Sequence, residues 1–145
     1  MMLYTTLNKL QRHDPCISGK ERLLAYLGKT ETDDEPLALK TILESNGIRD
    51  ALWCLCGVDG HDKEIRLFAI WCARQVEHFD KSGASKALND ANEAYVNWQI
   101  TTSAWARALT SAWARALTSA RAAAWYSAWD AQKLEFSKRF CTEEN

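Results

Sequence analysis

The apolar positions between Thr102 and Lys133 recur every eight residues. Thr-Ser-Ala-Trp-Ala-Arg-Ala-Leu appears twice, followed by Thr-Ser-Ala-Arg-Ala-Ala-Ala-Trp and Tyr-Ser-Ala-Trp-Asp-Ala-Gln-Lys. No Gly or Pro interrupts these four octads. Ala, Arg and Leu are strong helix formers, so the pattern predicts one helix from about Thr102 to about Phe140. Its large residues sit four apart, at Trp105, Leu109, Trp113, Leu117, Arg121, Trp125, Trp129 and Lys133. Such a row is a ridge that interdigitates with a neighbouring helix. Each step of four drifts about 40° around the axis. Trp105 to Leu117 therefore cover roughly 120°, the width of a core-facing stripe. Trp125 and Trp129 fall on nearly the opposite side. With Phe136 and Phe140 they are the residues predicted to meet a second chain or a protein target. A straight helix of this length would run about 57 Å, against a diameter of roughly 40 Å for a compact chain of this size. A bend near Ser119, a protruding arm or a self-associated pair would each resolve the mismatch.

The first hundred residues carry shorter periodic runs. Apolar positions 3, 4, 7 and 10 have helical spacing and predict a helix over Leu3–Gln11, broken by Asp14-Pro15. Ser18 and Glu21 read as a capping box opening a helix to Leu27, which Gly28 ends. Asp34, Glu35 and Pro36 read as the start of a helix to about Ser45, closed by Asn46-Gly47. Ile48–Cys56 follows as a short apolar helix with Leu52, Trp53 and Leu55 expected inside. Asp62 caps a helix over Lys63 to Phe79. The expected buried stripe there is Leu67, Ile70, Trp71, the stem of Arg74, and Val76. Ser85 is the expected cap of a helix to Trp98, with Leu88, Ala91, Tyr95 and Trp98 on one face. The sum is an all-α chain: a compact bundle of six or seven helices with a long Ala/Trp-rich C-terminal helix. It reads as one domain over residues 1–145, with short helices to 100, the octad helix over 101–140 and a tail over 141–145.

Composition narrows the function classes. The 145 residues carry a net charge of −1, which gives no reason to expect a nucleic acid or an anionic lipid as partner. No apolar run approaches the ~20 residues that a membrane span needs. Met1-Met2-Leu3-Tyr4 leads into polar residues rather than a secretion signal. The odd set Cys16, Cys54, Cys56, Cys72 and Cys141 then reads as reduced thiols in a cytosol. Cys54, Cys56 and His61 come nearest to a zinc pattern. On a helix, however, residues two apart point about 200° from each other and cannot share a metal. No metal or other cofactor is expected. His13-Asp14 and His61-Asp62 sit at helix ends, where capping accounts for the Asp. Gly28-Lys29-Thr30 lacks the earlier Gly and the preceding strand of a phosphate-binding loop. No catalytic constellation emerges, and an enzyme is not expected. Asp33, Asp34 and Glu35 form an acidic loop, which predicts a contact for a basic patch on a partner.

Several stretches carry a resemblance. They are Gly28-Lys29-Thr30, Asp33-Asp34-Glu35-Pro36-Leu37, Asn46-Gly47 and Asp50-Ala51-Leu52-Trp53-Cys54-Leu55. It continues through Glu64-Ile65-Arg66-Leu67, Trp71-Cys72-Ala73 and Trp98-Gln99-Ile100-Thr101. Through them the chain resembles small phage-encoded proteins that look related to bacterial proteins labelled as immunity proteins. The Asp-Ala-Leu-Trp-Cys-Leu string is the specific part. Where the family joint often has Gly before Ile-Thr, Gln99 stands here. The resemblance implies a helical, non-enzymatic protein that binds and neutralises another protein, either as an immunity protein or as a phage inhibitor of host defence. An oligomeric structural or adaptor protein is the alternative, and a nucleic-acid binder the weaker one.

The octad geometry makes a direct prediction. Truncating a buried Trp costs about 3–5 kcal/mol, so Trp113→Ala should lower the melting temperature sharply. Trp129→Ala should cost less stability and more association, because interface Trp residues are frequent hot spots. Thermal melts and light scattering on both variants decide this. Equal destabilisation with association untouched would refute the assignment.

Overall fold

A computed structural model describes residues 1–98 and 129–143, the side chain of Trp129 excepted. The first three octads and Trp125 lie outside the described residues. So does most of the expected long helix, of which only α7 below is described. The described chain is mostly helical, with seven α-helices and one small two-stranded sheet. The sheet departs from the purely helical expectation. Two compact units divide the chain: residues 1–61 with 131–145, and residues 62–130.

Unit 1 opens with strand β1 (Tyr4–Thr5), which pairs antiparallel with β2 (Leu37–Ala38). The expected helix over 3–11 is thus shortened to α1 (Leu7–Gln11). Thr6 supplies the reason, because its hydroxyl accepts the amide of Lys9 and starts the helix there. Upstream, the backbone of Leu3 is committed elsewhere. Leu3 N–H donates to Phe140 O at 3.0 Å, and Leu3 O accepts Leu39 N–H at 3.0 Å. Met2 and Cys141 form a further antiparallel bridge. The pairing at Leu37–Ala38 also delays the next helix, so α3 spans Leu39–Asn46 rather than starting at Pro36.

Helix α2 (Ile17–Leu27) begins after Cys16, whose side chain makes no capping bond. Ser18 lies inside the first turn, so the expected capping box does not set this boundary. Gly28 ends α2 at φ 66°, a left-handed conformation that costs glycine little. Helices α3 and α4 (Ile48–Cys54) pack closely, and a short 3₁₀ turn (Leu55–Gly57) follows α4. The buried face of α4 is Ile48, Ala51 and Cys54, while Trp53 is exposed and Leu52 and Leu55 are half-buried. This corrects the expected stripe. Ala51 is fully buried, so a larger side chain there would have to displace its neighbours. Gly57 meets a similar constraint, since a Cβ there would lie 2.8 Å from Thr5 Oγ1 and 2.9 Å from Leu10 Cδ2. Thr5 itself donates to Gly57 O at 2.7 Å, which satisfies its buried hydroxyl.

Helix α7 spans Trp129–Phe140, and from Ala131 on it belongs to unit 1. Phe136 and Phe140, one turn apart on one face, have no solvent exposure and stack edge to face at 5.3 Å. They sit inside the fold, where the octad geometry had assigned them to a partner. That geometry extended the repeat's unpartnered side past Lys133. The C-terminal turns instead find their partner in the first residues of the same chain, at Leu3.

Unit 2 holds α5 (Asp62–Arg74), a 3₁₀ turn (Glu77–Phe79) and α6 (Ala84–Val96). Phe68 and Ile70 are its buried α5 residues, with Leu67 and Trp71 half-buried. Arg74 joins the elements. Its guanidinium pairs with Glu77 at 3.3 Å, with Asp90 at 2.9 Å and with Glu93. The Glu93 bond leads the interactions that raise the Arg74 pKa above its ordinary value. Lys86 pairs with Asp90 from one turn away, and Asn89 donates to Glu77. Asp80, not Ser85, organises the start of α6. Its carboxylate accepts the hydroxyl and amide of Ser82 and the amide of Ser85, and these bonds hold its pKa below the usual carboxylate range. The expected face of α6 fails at its end, where Trp98 is 83% exposed at φ 60°.

Two residues of α7 separate interior from surface. Phe136→Ala should cost about 3–5 kcal/mol, as truncation of a buried Phe does. Leu134→Ala, at an exposed position, should stay within about 0.5 kcal/mol. Urea unfolding of both variants measures the difference. Equal midpoints would show that α7 is not part of the core.

Candidate functional site

The acidic loop is built from the end of α2. Gly28 and Lys29 close that helix by donating to Ala25 O at 3.2 Å and to Leu24 O at 2.9 Å. The left-handed turn at Gly28 redirects the chain, and Lys29 reaches back across the following residues. Its ammonium donates to Asp33 Oδ2 at 2.5 Å and to Glu35 Oε2 at 2.5 Å. Asp33 Oδ1 accepts the Glu35 amide at 3.2 Å, a local turn that Asp favours. The Asp33 carbonyl accepts the amide of Asn8 at 2.9 Å, tying the loop to α1. One ammonium therefore organises two carboxylates, and a backbone bond anchors the turn.

The electrostatics follow the geometry. The hydrogen bond to Lys29 lowers the Asp33 pKa, and the bond to Asp33 leads the interactions that raise the Lys29 pKa. Segment 29–35 still holds four carboxylates against one ammonium, a net charge of −3. Asp34 and Glu35 are exposed, while Asp33 is partly buried in the clamp. Among the described residues Asp34 has no ion pair. So the three expected contact residues differ in role. Asp33 shapes the turn, Glu35 shares Lys29, and Asp34 presents its charge to solvent.

The remaining expected contacts divide into those outside the described residues and those in the core. Trp125 lies outside the described residues. Trp129 opens α7, its side chain outside the described residues, and Phe136 and Phe140 are core. Lys29 is the residue that the sequence reading missed. Its signal is the spacing of Lys29, Asp33 and Glu35 just after a helix-ending Gly.

Two of the cysteines are buried. Burial pushes the Cys54 thiol up to about 12 and the Cys141 thiol up to about 11. Both stay protonated at neutral pH, whereas a thiolate is the nucleophile and metal ligand. Among the described residues, no three His, Cys, Asp or Glu side chains are grouped to hold a metal ion. Nor is any described helix long and apolar enough to cross a membrane.

The clamp has a defined pH window. Asp33 carries a depressed folded pKa, so its contribution is present above the ordinary carboxylate range near ~3.9 and is lost as pH falls through the folded value. Lys29 carries a raised one, so its contribution is complete below the ordinary ~10.4 and is lost as pH rises through the folded value. An NMR titration of the Asp33 carboxyl carbon should give a midpoint below ~3.9, with the Glu35 amide following the same transition. A midpoint at or above the ordinary value would show that the clamp does not form in solution. Comparison of the chain with protein-family models, with curated proteins and with solved structures finds no match.

Proposed function

We propose that this chain is a non-enzymatic protein-binding inhibitor. It would act either as an immunity-type protein or as a phage inhibitor of a host defence system, in the cytoplasm of a bacterial cell. The observation that carries the proposal is the clamped acidic turn. Lys29 and Asn8 fix its backbone, while Asp34 and Glu35 remain exposed. A fixed turn loses little conformational freedom on docking, so its charge can steer a basic partner without a large ordering cost. The sequence resemblance supports the same function.

The turn is the proposed contact, with Asp34 at its centre. Phe136 and Phe140 are no part of it, because neither is exposed. The octads keep a second proposal alongside the first. Their regular ridge suits a long helix from about residue 102 to 140 that pairs with another copy of the chain, as an oligomeric adaptor would.

A charge reversal tests the proposal. The target is first captured by co-purification from phage-infected or toxin-bearing cells and identified by mass spectrometry. Asp34→Lys should then slow association by roughly 3- to 10-fold at low salt and flatten its salt dependence. Dissociation and melting temperature should change little, because Asp34 takes no part in the clamp. Unchanged association kinetics would make the turn a bystander. Capture of no protein partner would remove the inhibitor proposal altogether.

A further inference from the structure

We draw no further inference here: the strongest candidate, the exposed Ile17 and Trp53 on helices α2 and α4 where these meet at Gly19 and Asp50, is an unpartnered apolar face, and nothing in the structure shows what covers it.

Discussion

Leu3 spends both of its backbone hydrogen-bonding groups on partners remote in sequence, Phe140 and Leu39. Its side chain is 1% exposed, so neither group could turn to water without opening the fold. Bringing chain ends this far apart together carries an entropic cost that grows with the logarithm of loop length, roughly 4 kcal/mol here. Two backbone bonds at about 1 kcal/mol each do not offset it. Burial does, since Phe136 and Phe140 each contribute about 1.5–3 kcal/mol by leaving water. The aromatic pair supplies the energy and the Leu3 bonds supply the register. Together they explain why a segment at the end of the chain belongs to the same unit as its first sixty residues.

Once Leu3 is fixed, its neighbours have little choice. Tyr4 and Thr5 continue as extended chain, which places them against Leu37 and Ala38. Thr5 then reaches Gly57 O, and Gly57 must lack a side chain to allow it. Asn8, in the first turn of α1, comes within reach of the Asp33 carbonyl. The acidic turn is thereby connected to α1 by a backbone bond, and Lys29 completes it locally. Unit 2 works differently. Among its described residues an ion-pair network spans α5 and α6 beside the buried Phe68, Ile70 and Val96, with Arg74 and its carboxylates partly open to solvent, where each ion pair adds little and a network adds more.

Much of the helical content was legible because it is local. The apolar spacing of α2, α3, α5 and α6 and the stop at Gly28 need no distant partner to be recognised. What escaped depends on distance. Two-residue strands are too short to show alternation, and positions 3, 4, 7 and 10 satisfy a helical period equally well. On α4, Ile48, Ala51 and Cys54 are the buried residues rather than Leu52 and Trp53, and the small size of Ala51 and Cys54 hides that face from a reading by large apolar residues. At α7, the repeat's spacing puts Phe136 and Phe140 on its far side, whereas their burial goes with a backbone pairing to Leu3 that no local spacing reveals. The acidic loop was found by composition alone. Its internal pairing was not, because a Lys just past a helix end meets a carboxylate four residues later only through the turn that the left-handed Gly28 begins.

Native-state hydrogen exchange at Leu3 tests the central claim most directly. If the chain ends lock unit 1, the Leu3 and Leu39 amides should exchange only through global unfolding of that unit. Their protection should then match that of the Ile42 amide inside α3, across a denaturant series. Leu3 exchanging as fast as an exposed loop amide, while Ile42 stays protected, would show that the ends fray and that unit 1 holds together without them.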